Sequence, residues 1–264
     1  MSTERRQFLT RALAGAGGLL LAGCGRIADN GAVNQALFAA QGFTRRMQHF
    51  FVSPRSLARE YGERDISPWF KPNGSIAPDN PADSSSTPEY RAHVAGGFKD
   101  WRLRVDGLVD RPLSLSLADI RALPSRTQIT RHDCVEGWSC IGKWTGAPLH
   151  HLLMMAGLKP SARYVVFHCA DAIDRKPDGS PVPYYESIGL EDANHPQTIL
   201  AYAMNGKVLP VAHGAPLRLR VERQLGYKQA KYVMRVEVVD SFAHLGKGKG
   251  GFWPDVGYEW YAGI

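Results

Sequence analysis

The sequence predicts a mixed α+β domain, and three observations predict it. From Trp101 the chain alternates, with Trp101, Leu103 and Val105 set against Arg102, Arg104 and Asp106, as in a strand with one wet face. Short helices with their own start and stop signals interrupt this texture at Ser116 and Pro148. Strands return at uneven intervals, so helix and strand do not alternate regularly enough for a doubly wound sheet. With 264 residues, 44% hydrophobic and 22% charged, the chain is ordinary globular material able to bury one large core or two modest ones.

Taken in order, the first element is a targeting segment over residues 1–23. Arg5 and Arg6 precede a small apolar run, Ala12 to Gly23, that is too short to span a membrane. The pattern reads as a twin-arginine export signal, with Glu4 where Ser or Thr is usual. Leu21-Ala22-Gly23-Cys24 reads as a lipobox, which would make Cys24 a lipid anchor; a cleaved signal with an incidental cysteine is the alternative. Both readings place the protein in the periplasm. Because that export route carries folded proteins, the signal also hints at a cofactor inserted before transport.

The formal charge is +7, of which Arg5, Arg6 and Arg11 less Glu4 supply +2. The remaining basic residues are scattered, which argues against a nucleic-acid partner. Residues 24–95 read as a helix followed by an extended segment. Leu37, Phe38, Phe43, Met47 and Phe51 recur at helical spacing within 33–51, and 72–89 has the Pro, Gly, Ser and Asn density of a surface loop.

Residues 96–264 are expected to form the catalytic domain. Ser116 caps a short helix stopped by Pro124, and Pro148 opens another that ends at Gly157. Tyr164 to His168, Leu217 to Val221 and Val233 to Val239 read as strands, and Asn205-Gly206 as a hairpin turn. Gly246 to Gly251 reads as a flexible turn, after which Phe252, Trp253, Trp260 and Tyr261 pack back on the domain.

The chemistry concentrates in Arg131-His132-Asp133-Cys134-Val135-Glu136-Gly137-Trp138-Ser139-Cys140. There is no G-x-G-x-x-G after a strand, no P-loop, no C-x-x-C-H and no H-E-x-x-H, so nucleotide, covalent haem and zincin chemistry have no anchor. If Cys24 is lipidated, Cys134, Cys140 and Cys169 are left, an odd number for an oxidising compartment. Three readings of the decapeptide stand: a Cys134–Cys140 disulfide, a zinc site from His132, Cys134 and Cys140, or one thiolate on a softer redox metal.

Cys134-Val135-Glu136-Gly137-Trp138-Ser139, followed by Lys143-Trp144-Thr145-Gly146-Ala147-Pro148-Leu149, resembles the cysteine loop of the sulfite oxidase superfamily of molybdopterin enzymes, in its protein-methionine-sulfoxide reductase branch. Ala212 to Arg218 resembles the family's pterin-binding segment, and Gly226 to Tyr232 its phosphate-holding turn and lysine. Tyr184 falls where the family places an active-site tyrosine, so the similarity runs from about Trp101 to Val239.

The resemblance implies a sulfite-oxidase-type fold with molybdenum-molybdopterin (Mo-MPT) as cofactor. It makes Cys134 the protein ligand to molybdenum, Glu136 and Tyr184 catalytic residues, and His213, Arg218, Gln229, Ala230 and Lys231 cofactor contacts, with Cys169 at a further cofactor-facing position. Too few residues follow Asp240 for the immunoglobulin-like dimer domain of sulfite oxidases, so a monomer is expected.

Sulfite oxidases carry an arginine five residues beyond the metal cysteine, and here that residue is Ser139. The expected substrate is therefore a sulfoxide. Oxidation of sulfite, with Arg131 or Arg218 supplying the charge, is the alternative. A lipid-anchored binding module and a zinc hydrolase are readings of other classes. With no haem or flavin motif, electrons would come from a membrane or c-type cytochrome.

Overall fold

The computed structural model describes Ser53 and residues 55–264. The helix expected within 33–51 therefore lies outside the described residues, as do the export signal and Cys24. The compact unit considered below is Leu57–Ile264. It starts well before residue 96. Residues 57–95, grouped on sequence grounds with the N-terminal segment, belong to this unit: Tyr90 is fully buried and its hydroxyl donates to Ala215 O at 2.7 Å.

Ten strands form two sheets. The first runs in the order β2 (Leu113–Ser116), β1 (Arg102–Gly107), β10 (Val233–Val239), β5 (Tyr164–Arg175) and β6 (Pro181–Gly189). All of its neighbours are antiparallel except β1 and β10, which are parallel. The second runs β3 (Arg126–Asp133), β4 (Ser139–Pro148), β7 (Ile199–Met204) and β8 (Lys207–Val208), with β9 (Arg218–Arg220) pairing the other end of β7 on the same edge as β8. Mixed sheets with short helices fit the α+β expectation.

Local sequence explains the elements. In β1 the alternation of Arg102, Leu103, Arg104 and Val105 becomes alternate exposure and burial. Helix α1 (Pro88–Ala95) falls where a continuous loop was expected. Thr87 caps it by accepting from Tyr90 N at 3.3 Å, and Pro88 sits in its first turn. Helix α2 (Leu117–Ala122) has the expected Ser116 cap, completed by Asp119 in a capping box. Helix α3 (Leu149–Ala156) ends at Gly157 with φ 72°, and two four-residue helices follow, α4 (Leu190–Ala193) and α5 (Phe252–Asp255). Asn205 and Gly206, at φ 50° and 74°, turn β7 into β8 as their dipeptide signal predicts.

The main core is shared. Leu103, Val105, Val165, Phe167, Val236 and Val238 of the first sheet meet Ala147, Leu200 and Leu219 of the second, and Leu149, Leu152, Leu153 and Ala156 of α3 close it. The C-terminal aromatics do pack back. Trp260 Nε1 donates to Ser187 Oγ at 2.8 Å, while Phe252 and Trp253 lean on the core. Between them the Asp255 carboxylate accepts from Lys247 N at 2.9 Å and Lys249 N at 3.1 Å, so the glycine-lysine turn is clamped.

Candidate active site

The β3–β4 connection presents Cys134. Cys134 N donates to Trp138 O at 2.9 Å and Gly137 N donates back to Cys134 O at 3.0 Å, so the thiol stands on a closed turn at the end of two paired strands. Burial raises its pKa above the usual thiol value, against the opposing hydrogen bond from the Glu136 backbone N–H. Such a thiol keeps its proton until a metal displaces it.

A cavity opens at this turn. Cys134, Glu136, Tyr184, Gln229 and Lys231 all line it. The remaining predicted residues do not line it. His213 O accepts from Arg218 Nη1 at 3.0 Å, and Arg218 and Lys231 are the charges that act on the His213 ring. Cys169 is buried and electrostatically coupled to Lys231, and Ala230 N–H and C=O both sit inside backbone bonding that ties the 226–231 turn to β9.

Glycine explains how the cationic groups converge. At Gly214, φ is 108° and a Cβ would lie 2.9 Å from Lys231 Cβ and 3.2 Å from Arg218 Cβ. Only a residue without a side chain admits both.

The charges are costly in isolation. Arg218 is fully buried, and burial beside Arg220 pulls its pKa down to about 9. Its Nη1 has the His213 carbonyl, but Nε and Nη2 have no partner. The Trp144 ring takes both arginines, with Cζ of Arg218 4.9 Å and of Arg220 4.5 Å from its centroid. Arg220 is compensated: Nε donates to Glu222 Oε1 at 2.9 Å. Lys231 is brought down to about 7 by burial and Arg218, and His213 to about 4 by burial, Arg218 and Lys231. His213 is therefore neutral, with Nδ1 buried and unpartnered.

Two of the sequence alternatives change here. Cys134, Cys140 and Cys169 are all free thiols, so the Cys134–Cys140 disulfide is not formed. Cys140 sits across the ladder from His132 with its Sγ 3.8 Å from Trp69 O, a small buried hydrophobe. His132 is fully buried with Nδ1 3.0 Å from Arg220 Nη1, and a guanidinium there opposes a zinc ion. Among the described residues, no three His, Cys, Asp or Glu side chains gather to hold a metal.

Glu136 is largely exposed. Its Oε2 accepts from Trp138 Nε1 at 2.8 Å and Lys71 Nζ at 3.3 Å, and these hold its pKa below the usual carboxylate value. It is an ionised group at the mouth. Tyr184 donates to Tyr227 O, and its phenol pKa stands well above normal through burial and Glu186, so it keeps its proton.

Sequence reasoning missed other walls. Asn73, Gly74 and Ser75 come from the stretch expected to be a surface loop; Ser75 O accepts from Lys231 Nζ, and Ser75 Oγ donates to Asp171 Oδ2 at 2.6 Å. Asp171 is buried with its pKa raised to about 6 by desolvation. Trp253 and Tyr258 bring the C-terminal segment to the cavity. A signal existed for Asp171, a carboxylate set between Cys169-Ala170 and Ala172-Ile173 in β5. None existed for Asn73, whose neighbourhood is compositionally a loop.

The fit to a cofactor can be read from the unpartnered atoms. Arg218 Nε and Nη2 are buried donors, while Asn73 Oδ1 and Asp171 Oδ1 are buried acceptors. Native interiors leave few such groups unpaired. Together with one thiol and a lysine, they fit a cofactor that is anionic at one end, rich in hydrogen bonds and able to carry a soft metal.

Residues 90–244 match the oxidoreductase molybdopterin binding domain family. Over 259 residues, 98% of this chain and 87% of the other, the sequence is 38% identical to a protein of Azospira oryzae provisionally named protein-methionine-sulfoxide reductase subunit YedZ1. It is 32% identical to the protein-methionine-sulfoxide reductase catalytic subunit MsrP of Ralstonia nicotianae, over 72% of this chain and 64% of that one. Among solved structures, the sulfane dehydrogenase SoxCD of Paracoccus pantotrophus aligns with 26% identity and a TM-score of 0.46, covering 54% of this chain and 39% of that one. The chain belongs to the molybdopterin-binding oxidoreductases of the sulfite oxidase family, and it is a molybdenum-dependent oxidoreductase.

Proposed function

We propose that the protein is an exported enzyme that reduces sulfoxides at a Cys134-ligated molybdenum, taking electrons from a cytochrome. The observation that carries this reading is the charge of the cavity: its ionisable lining includes Glu136, Asp171 and Lys231 but no arginine. Neither candidate for a sulfite-binding cation lines the cavity: Arg131 Nε is 2.9 Å from an Asp133 carboxylate oxygen, and Arg218 is not among the lining residues. A dianion entering past ionised Glu136 would be repelled, whereas a neutral sulfoxide would not. The relatives' names, which specify methionine sulfoxide reduction, support the same choice.

Arg218, Lys231, His213 and Gln229 would hold the phosphate-bearing cofactor, Cys169 and Ala230 would pack against it, and Cys134 would ligate the metal, displacing its thiol proton. When bound, Mo-MPT supplies the oxygen-atom transfer chemistry. The overall change is R2S=O plus two electrons and two protons to R2S and water. Within it, Tyr184 is a protonated group in the cavity, able to turn its hydroxyl from Tyr227 O to a substrate oxygen. Glu136 is ionised, so it excludes anions and relays rather than stores a proton.

The N-terminal segment supports periplasmic export with Cys24 as a lipid anchor, and the chain is expected to act as a monomer. Replacing Arg5 and Arg6 by Lys should retain the protein in the cytoplasm; unchanged export would sink the export reading. Molybdenum-loaded enzyme with a reduced dye should turn over sulfoxides faster than it oxidises sulfite with an oxidised one, and the reverse ranking would assign it to sulfite oxidation.

A further inference from the structure

On the far edge of α3 stands a cluster that the oxidoreductase site does not use. His151, Met154 and Met155 occupy positions i, i+3 and i+4, which share one helical face, and all three line one open depression with Leu123 and Pro124. It shares no lining residue with the Cys134 cavity. His150 adds a second imidazole, its ring centroid 4.2 Å from that of His151. The opposite face of the helix is fixed, because Leu149, Leu152, Leu153 and Ala156 are buried in the main core.

The methionines are the unusual feature. Met154 is 69% exposed and Met155 38%, so neither is there to fill the core, and what they present outward is thioether sulfur. We propose that His151, Met154 and Met155, with His150 beside them, bind a monovalent soft metal ion, Cu(I). Thioethers and imidazoles together select Cu(I), whereas zinc and harder divalent ions need thiolates, more imidazoles or carboxylates. No third His, Cys, Asp or Glu joins the pair among the described residues. This site is independent of the proposed sulfoxide reaction.

The test is an anaerobic titration of the full, molybdenum-loaded chain with the Cu(I)–bicinchoninate complex, with ascorbate present. Wild type should withdraw roughly one more copper per chain than M154L/M155L, a substitution that conserves volume. Copper affinity in the variant should fall at least about tenfold, with the melting temperature and dye-linked activity unchanged. Equal copper uptake by both proteins would overturn the proposal, as would tighter binding of zinc. If the double variant is unstable, the wild-type protein alone decides: Ag(I) should shift the labelled methyl signals of Met154 and Met155, and unmoved signals would refute the site.

Discussion

Replacing Arg218 by Met should push stability and cofactor binding in opposite directions. The guanidinium is fully buried, and two of its N–H donors have no protein partner. Each buried orphan costs about 1–3 kcal/mol, so the pair burdens the cofactor-free protein by about 2–6 kcal/mol. Met fills the stem volume and removes both, while losing the bond to His213 O and the contact with Trp144, together about 2–3 kcal/mol. The balance spans about −1 to +4 kcal/mol and centres near +1.5 kcal/mol in favour of the variant, so at about 2–4 °C per kcal/mol for a chain of this size its cofactor-free form should melt about 3–6 °C higher.

With cofactor the sign reverses. Two charge-assisted hydrogen bonds, about 1.5–3 kcal/mol each, are lost, which lowers cofactor affinity by roughly 10²–10⁴. Melting curves of cofactor-free and loaded protein, with pterin content measured by fluorescence after oxidation, read both halves. A variant that melts lower in both forms and retains wild-type pterin would refute the reasoning and make Arg218 a structural residue.

Gly214→Ala should remove about 1–3 kcal/mol by overpacking, because the new methyl meets Lys231 Cβ and Arg218 Cβ from a left-handed backbone. Thermal melting should show the loss, and pterin content should fall with it. The His213 imidazole, brought down to about 4, makes stability fall as the pH drops from about 6.5 towards 4, since the unfolded chain takes up a proton there that the folded one refuses. His213→Gln should flatten that limb of the melting-temperature profile, by less than the about 1.4 kcal/mol per pH unit of a fully buried group; an unchanged slope would count against it.

The fold was legible wherever local rules act alone. The Ser116 capping box, the Pro148 and Gly157 limits of α3, the Asn205-Gly206 turn and the alternation of β1 all depend on residues close in sequence. What escaped depends on long-range packing. Helix α1 was hidden in a Pro- and Ser-rich stretch because its only buried residue, Tyr90, is held by Ala215 and Tyr232, over a hundred positions away. Similarly, nothing local marks Asn73 or Trp253 as cavity walls, because each is brought there by a neighbour distant in sequence.

For the site, motif resemblance led to residues that the fold does gather, yet it could not supply their protonation. The lowered pKa of Glu136 follows from Trp138 and Lys71, and that of His213 from burial, Arg218 and Lys231. Those states depend on three-dimensional neighbours.

The central claim is that Cys134 is the protein's ligand to molybdenum. Molybdenum K-edge X-ray absorption on wild type, Cys134→Ser and Cys169→Ser tests it most directly. The account predicts that Cys134→Ser alone loses a sulfur scatterer from the metal shell while its pterin content persists. An unchanged molybdenum–sulfur shell in Cys134→Ser, or a loss in Cys169→Ser instead, would contradict it.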